Sequence, residues 1–290
     1  MAGARRAAVL GSPVAHSLSP VLHGAAYEAL GLRGWTYERL ECTAEQLPAL
    51  VGALDAAWVG CSVTMPGKKA ALAVATTASA RARRLGVANT LVRTDAGWVA
   101  DCTDVDGVAG ALLGAGIPQP APLAAGLRDV VLLGAGATAS AAVGALYEVG
   151  NEDVQLVVRD PDRARETAAV VDAYGMRGLV RTFDEVAAVD TSRAKALVNT
   201  TPAGAVDEAL AARLVDGLPA DAVVLDAVYH PWPTPLAAAA ARRGLAVATG
   251  LDMLLHQAFG QVEQFTGRSA PRRAMHRALV RATGFDVRPP

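Results

Sequence analysis

The chain has 290 residues, 52% of them hydrophobic, so it is long and apolar enough for two domains with separate cores. Its formal net charge of −1 gives no electrostatic reason to expect a nucleic acid or an anionic membrane as a partner. The three cysteines, Cys42, Cys61 and Cys102, show no C-x-x-C spacing, which argues against a disulfide framework and a zinc site. Because the N-terminal apolar run is too short for a signal peptide, and glycine or proline interrupts the charge-poor stretches, we expect a cytoplasmic protein with no membrane contact.

The first part of the chain alternates strand and helix patterns. Apolar runs predict strands at 7–10, 35–40 and 58–64, and a helical pattern lies near 44–54. Another helix is predicted to begin with Ser19 as its N-cap and Pro20 in its first turn, and to end near Leu30 because Gly31 follows. This rhythm predicts an α/β domain that precedes the glycine-rich segment described next.

Residues 129–146 carry the most informative pattern in the chain. An apolar run at 130–133, too short for a helix, leads into Gly134-x-Gly136-x-x-Ala139 and then into a run of small residues. Strand, glycine turn and helix in this order are typical of a dinucleotide-binding unit, in which the first glycine permits the turn and the second lets the backbone approach a pyrophosphate. The helix N-terminus would hold the phosphates. The alternative is a glycine-rich turn in another kind of α/β sheet.

Further patterns divide the chain into two domains. Strands are predicted at 154–158, 196–198 and 223–225, a proline-rich linker at 116–122, and a long helix at 250–266 that comes too late to belong to the second sheet. We therefore expect a two-domain α/β protein with a cleft between its domains. Residues 1–106 plus 248–290 would form a substrate domain completed by C-terminal helices, and residues 107–247 a Rossmann-like dinucleotide-binding domain.

Lysine is rare in this chain, with only three among 27 basic residues, and two of them are adjacent at Lys68 and Lys69. Arginine is effectively always protonated, whereas lysine can lose its proton when its surroundings lower its pKa. Lys68 follows a predicted strand and a Pro-Gly turn, so a position that needs a transferable proton fits here. A solvated pair of lysines in a turn is the alternative.

Other polar residues come directly after predicted strands. Asp104 and Asp106 belong to an acidic cluster that lacks the spacing of a calcium loop, so they either cap the next helix or place a carboxylate beside Lys68. Asn89 is either a turn residue or a ligand contact. The segment 199–202, Asn-Thr-Thr-Pro, lies where ligands of open α/β sheets bind. The five histidines lack metal-ligand spacing, so we expect no metal site.

These motifs, taken in order, resemble the shikimate dehydrogenase family over nearly the full length of the chain. The matching segments are GSPVAHSLSPVLH (11–23), GCSVTMPGK (60–68), TDVDG (103–107), NTTP (199–202), DAVYHPWPTPL (226–236) and GLDMLLHQ (250–257). The family usually has asparagine where this chain has Gly24, Ser62 and Cys102. Because Cys61 and Cys102 flank the expected site, bulky thiol reagents are expected to inhibit the protein.

The resemblance implies reversible reduction of 3-dehydroshikimate to shikimate with NADP as cofactor. Hydride would pass between C4 of the nicotinamide and C3 of the substrate, Lys68 would deliver the proton to the carbonyl oxygen, and Asp104 would orient both lysine and substrate. The implied substrate-binding residues are Ser17 and Ser19 for the carboxylate, Thr64, Asn89 and Gln257 for ring hydroxyls, and Tyr229 between substrate and nicotinamide. The implied cofactor-binding residues are Gly134, Ala135, Gly136, Ala137, Thr138, Ala139, Arg159, Arg163, Thr200 and Gly250.

Three questions stay open at the level of sequence. Arg159 and Arg163 favour the 2′-phosphate of NADP, although Asp160 could instead bond the ribose hydroxyl of NAD. Quinate or aminoshikimate dehydrogenases on the same scaffold are alternatives, and so is a non-catalytic NADP-binding sensor, which the retention of Lys68 and Asp104 disfavours. The partner is expected to be a small-molecule substrate and the protein a monomer or homodimer.

Overall fold

The computed structural model of the protein describes residues 4–118 and 130–290. The described residues form two compact units, one within 1–107 and 254–290 and the other within 108–253, each built on a six-stranded sheet. The predicted two-domain α/β class is confirmed, whereas residues 119–122 of the predicted linker lie outside the described residues. No helix in the described ranges is both long enough and apolar enough to span a membrane.

The first unit contains a mixed sheet in the order β2-β1-β3-β5-β6-β4. β1 runs parallel to β2 and β3, and β5 turns back antiparallel to both β3 and β6. Most of β1 and β3 is buried, which explains why their sequences read as short apolar runs. The elements of this part of the chain are β1 (Arg5–Gly11), α1 (Ser19–Ala29), β2 (Trp35–Glu41), α2 (Leu47–Ala53), β3 (Trp58–Val63), α3 (Lys68–Val74), β4 (Thr77–Ala78), α4 (Ala80–Leu85), β5 (Thr90–Thr94), β6 (Gly97–Asp101) and α5 (Asp104–Gly114).

The second unit contains a wholly parallel sheet in the order β12-β11-β10-β7-β8-β9. Its central strands β7, β10 and β11 are buried along their whole length, as expected of parallel strands covered on both faces. Its elements are β7 (Val130–Leu133), α6 (Ala137–Glu148), β8 (Asp153–Val158), α7 (Pro161–Ala173), β9 (Arg177–Thr182), β10 (Ala196–Asn199), α8 (Glu208–Asp216), β11 (Val223–Asp226), α9 (Pro235–Arg242) and β12 (Ala246–Thr249).

Two helices complete the chain, α10 (Gly250–Thr266) and α11 (Arg272–Thr283). The bounds of α10 agree with the predicted helix at 250–266. From Leu254 on, the chain belongs to the first unit, where α11 packs on α1. A residue such as Gln257 therefore lies in the same unit as Lys68 although it is far away in sequence.

One predicted helix start is wrong, and another differs for a local reason. The N-cap of α1 is Leu18, without a side-chain cap bond, and Ser19 is the first helical residue instead of the cap. α2 is assigned from Leu47 instead of near 44, although Thr43 and Gln46 bond each other's backbone N–H groups as a capping box and the Leu47 N–H bonds the Thr43 oxygen at 3.2 Å. The helical hydrogen bonds are interrupted here because Pro48 has no N–H to donate to the oxygen of residue 44.

Replacing two helical glycines with alanine should change the stability of the protein in opposite directions. A Cβ on Gly250 would lie 2.2 Å from the backbone oxygen of Ala227, whereas a Cβ on Gly24 of α1 would meet nothing within 4 Å. We expect Gly250→Ala to destabilise the protein by about 1–3 kcal/mol through overpacking. Gly24→Ala should stabilise it by about 0.5–1 kcal/mol because alanine loses less backbone freedom on folding. Thermal unfolding of both variants tests this, and equal midpoints would contradict it.

Candidate active site

A lysine and an aspartate form a nearly buried pair in the first unit. Lys68 is the first residue of α3 and Asp104 the first residue of α5; they are 9% and 1% exposed. The Lys68 ammonium nitrogen lies 2.5 Å from Oδ2 of Asp104. Lys69, the next residue, is exposed. The two adjacent lysines therefore have different environments, and only Lys68 is buried. Asp104 lies beside Lys68 and is not a helix cap.

The other carboxylate oxygen of Asp104 is held by Asn89. The Asn89 side-chain oxygen accepts the backbone N–H of Thr103 at 2.7 Å and the hydroxyl of Thr90 at 2.8 Å. Since a backbone N–H can only donate, this fixes the orientation of the amide. The Asn89 nitrogen then donates to Oδ1 of Asp104 at 2.9 Å and to Oε1 of Gln257 at 2.8 Å. The nitrogen of Gln257 is thereby turned away from Asn89.

A second glutamine, which the sequence analysis missed, supports this arrangement from behind. Gln261 donates to the backbone oxygen of Asn89 at 3.3 Å and to the Thr90 hydroxyl at 3.2 Å. Its oxygen therefore faces the Nε2 atom of His23 at 3.4 Å, and His23 is the donor in that bond. Burial lowers the pKa of His23 to about 3, so the ring is neutral. Gln261 follows Gln257 by one helical turn, which was the available signal.

The predicted carboxylate-binding serines lie at the N-terminal end of α1. Ser19 is buried and Ser17 is partly exposed. The Arg39 guanidinium donates two hydrogen bonds to the backbone oxygen of Ser17, at 2.9 and 2.6 Å, which places a positive charge beside this loop. Thr64 directly follows β3, on the same side of the strand as Ser62. Hydroxyl groups, the Arg39 guanidinium and the Glu41 carboxylate thus lie at this end of the first sheet.

The cysteines are less accessible than the sequence analysis assumed. Cys61 and Cys102 are fully buried, and burial raises the pKa of each thiol to about 12. Because thiolate is the reactive form, both should resist alkylation in the folded protein. We expect N-ethylmaleimide to label them, as read by mass spectrometry, only when denaturant is present. Equal labelling rates with and without denaturant would contradict the burial argument.

The second unit carries the glycine loop at the end of β7. Gly134 has φ +107°, and a Cβ there would lie 2.7 Å from the Thr200 hydroxyl, which donates to the Leu133 oxygen. Gly136 is the N-cap residue of α6 without a side-chain bond, and a Cβ there would meet nothing within 4 Å. Ala139 is fully buried. The tight turn and the open space at Gly136 would let a pyrophosphate approach the backbone. The first-turn amides of α6 have no partner within the helix and could donate to it; the remaining residues of the loop are Ala135, Ala137 and Thr138.

The end of β8 bears on the choice between NADP and NAD. Asp160 is the N-cap of α7, where its carboxylate accepts the backbone N–H of Asp162 at 3.0 Å. Arg165 pairs with Asp162 at 2.6 Å. Arg159 and Arg163 are exposed, and neither guanidinium is paired with a carboxylate of the described residues. The cap bond uses one oxygen of the exposed Asp160 carboxylate, whereas both arginine guanidinium groups are without a carboxylate partner in the described residues.

Tyr229 and Gly250 also lie in the second unit. Cδ1 of Tyr229 would be 3.0 Å from a Cβ on Gly250, so the ring packs against the start of α10. Burial raises the pKa of the Tyr229 phenol. These contacts explain both residues structurally, and their ligand contacts remain predictions. In residues 4–118 and 130–290 there is no group of three His, Cys, Asp or Glu side chains able to hold a metal ion.

A unit with a buried lysine–aspartate pair and a second, parallel-sheet unit with a strand–glycine turn–helix loop are typical of two-domain nicotinamide-dependent dehydrogenases. Residues 9–91 match the family model "Shikimate dehydrogenase substrate binding domain" and residues 250–280 match "Shikimate 5'-dehydrogenase C-terminal domain". A shikimate dehydrogenase (NADP(+)) of Methylobacterium radiotolerans is 40% identical over 267 residues, which cover 90% of this chain and 91% of the relative. The chain belongs to the shikimate dehydrogenase family.

Solved structures agree with this assignment. Shikimate dehydrogenase of Mycobacterium tuberculosis is 50% identical, with a TM-score of 0.84 over 96% of this chain and 99% of that one. Shikimate 5-dehydrogenase of Thermus thermophilus, solved in complex with NADP(H) and shikimate, is 35% identical, with a TM-score of 0.80 over 96% of this chain and 99% of that one. The similarity extends through both units.

Proposed function

We propose that this protein catalyses the NADP-dependent, reversible reduction of 3-dehydroshikimate to shikimate. The observation that carries the proposal is the Lys68–Asp104 pair, in which Asn89 fixes one carboxylate oxygen and the lysine bonds the other. Such a pair can move one proton at a defined point while remaining out of bulk water. Membership of the shikimate dehydrogenase family supports the substrate and the cofactor.

Proton transfer in the reduction starts from a protonated Lys68. When bound, NADPH supplies the hydride at C4 of its nicotinamide. The Lys68 ammonium gives a proton to the substrate oxygen, and in the reverse direction the neutral amine takes it back from the hydroxyl. The carboxylate of Asp104 holds the lysine nitrogen at 2.5 Å and so limits the positions from which the proton can be delivered.

Substrate binding follows from the groups around this pair. Ser17 and Ser19 would bind the carboxylate, while Thr64, Asn89 and Asp104 would bind ring hydroxyls. Because the Gln257 oxygen already accepts from Asn89, its nitrogen is the atom offered to a hydroxyl oxygen. Tyr229 is proposed to lie between substrate and nicotinamide.

Cofactor binding is proposed for the glycine loop from Gly134 to Ala139, for Thr200 beside Gly134, and for Gly250. Arg159 and Arg163 would bind the 2′-phosphate of NADP. We further propose a cytoplasmic protein, since its three thiols are free, and a monomer or homodimer whose state sedimentation would distinguish.

Absorbance of reduced nicotinamide tests the proposal. The protein would be mixed in turn with shikimate or quinate, and with NADP or NAD. We expect rapid reduction with shikimate and NADP. Faster turnover with quinate would assign the protein to the related quinate enzymes. NADP binding without turnover of any of these substrates would favour a sensor.

A further inference from the structure

One face of β2 is directed at the loop that carries the predicted carboxylate-binding serines. Tyr37, Arg39 and Glu41 alternate along the strand and therefore share a face. The Glu41 carboxylate accepts the hydroxyl of Ser12 at 2.6 Å and the backbone N–H of Val14 at 3.2 Å. Arg39 bonds the backbone oxygen of Ser17 in the same loop. Tyr37, the third residue of this face, directs its phenol hydroxyl at the hydroxyl of another side chain.

That hydroxyl belongs to Tyr37, and it meets two serine hydroxyls. The phenol oxygen makes a short hydrogen bond with the Ser62 hydroxyl, and the Ser19 side chain lies near it. Ser62 and Ser19 are 5% and 7% exposed. The Tyr37 ring stacks on His23 with a centroid separation of 3.9 Å and an interplanar angle of 14°. Three hydroxyls from three separate elements thus converge on one point.

We propose that Tyr37 is a substrate-binding residue that donates a hydrogen bond to the substrate carboxylate, together with Ser19 and Ser62. The inference rests on the proposed function and adds a residue from β2 to the site. None of the motifs that indicated the family contains this position.

The number of hydrogens explains why this cluster suits a carboxylate. Each hydroxyl carries one hydrogen, so the bond between Tyr37 and Ser62 consumes one hydrogen and leaves two free. A carboxylate only accepts hydrogen bonds and can take all three hydrogens once the hydroxyls rotate toward it. Burial raises the pKa of Tyr37 well above its usual value, so the phenol keeps its hydrogen at neutral pH.

The position of the trio also fits the proposed chemistry. Ser62 of β3 lies directly opposite Thr90 of β5, and neighbouring strands are about 4.8 Å apart. Thr90 bonds Asn89, and Asn89 bonds Asp104 of the proton-transfer pair. The two ends of the site are therefore one strand apart. In shikimate the carboxylate and the reacting hydroxyl stand on ring carbons separated by a single carbon, which matches a short separation.

Two tyrosine variants test the inference with a matched control. Tyr37→Phe removes the phenol oxygen from the trio. Tyr27→Phe removes a buried phenol oxygen that has no partner in the described residues, from a ring that also contacts His23. Initial rates would be measured with shikimate and with its uncharged methyl ester. For Tyr37→Phe we expect KM for shikimate to rise about tenfold or more, with kcat little changed, because a bond to a charged group is lost.

The ester distinguishes binding from a structural role. With the methyl ester, which carries no charge at this position, Tyr37→Phe should raise KM by only about twofold or less. The inference is overturned if shikimate and ester are affected equally, or if Tyr27→Phe raises KM as much as Tyr37→Phe. If the wild-type protein is active and Tyr37→Phe has an unchanged KM for shikimate, only this inference is refuted. If the wild-type protein is inactive with shikimate and NADP, the proposed function is refuted.

Discussion

Replacing Lys68 with methionine should lower kcat for shikimate oxidation by about 10²–10⁴-fold, the usual contribution of a positioned acid or base. Methionine is similar in length but cannot exchange a proton. KM should change little, because the predicted contacts to the carboxylate and ring hydroxyls remain, and a fall in kcat with steady KM marks an interaction made in the transition state. Initial rates at varied shikimate concentration measure both constants.

Lys69→Met provides the matched control, because it removes the same charge one residue further on. Lys69 is exposed, whereas Lys68 contacts Asp104. Lys69→Met should retain nearly full kcat. A Lys68→Met enzyme with normal kcat and a raised KM would show that this lysine binds substrate without transferring the proton.

Replacing Arg159 with alanine should raise KM for NADP by about 10–100-fold and leave KM for NAD nearly unchanged. The reason is that a guanidinium contact to a charged phosphate is worth about 1.5–3 kcal/mol, and NAD lacks the 2′-phosphate. Arg159 is exposed at the end of β8, and Asp160 beside it is already bonded as the cap of α7. Steady-state kinetics with each cofactor at saturating shikimate measures the two constants.

Arg165→Ala is the control for this experiment. Arg165 is an exposed arginine of α7, the helix that follows Arg159, but its guanidinium pairs with Asp162. Its loss should alter the two KM values to the same small extent. Equal increases for NADP and NAD in Arg159→Ala would contradict the assignment of Arg159 to the 2′-phosphate.

Sequence patterns predicted the elements whose signals are local. The apolar runs at 130–133, 154–158, 196–198 and 223–225 correspond to β7, β8, β10 and β11, and the positive φ of Gly134 agrees with its expected tight turn. Buried parallel strands produce such continuous runs whatever their neighbours are. The antiparallel course of β5 was not predicted, because strand pairing depends on contacts between distant residues.

The proton-transfer pair could be proposed from sequence because lysine is rare in the chain and both members lie in recognisable motifs. The supporting residues could not. Gln261 reaches Asn89 across 172 positions, and Tyr37 reaches Ser62 across 25. Thr90 and Thr103 fix the Asn89 amide only because β5 and the start of α5 come together in the folded chain. Such contacts leave no regular spacing in the sequence.

The burial of two cysteines could not be predicted from the sequence either. Cys61 and Cys102 were expected to flank the site, but the sequence carried no information about their accessibility. Cys61 lies within β3, and Cys102 follows β6; both side chains point into the core of the first unit. Burial, which raises the pKa of both thiols, overrides their proximity to the site.

Deuterium transfer tests the central claim most directly. Shikimate carrying deuterium at C3 would be incubated with the enzyme and NADP, and the nicotinamide product would be isolated and examined by mass spectrometry and NMR. Direct hydride transfer predicts reduced NADP with one deuterium at C4 of the nicotinamide, and 3-dehydroshikimate that has lost it. Reduced cofactor without deuterium, or no reduced cofactor from folded protein that binds NADP, would contradict the proposed reaction.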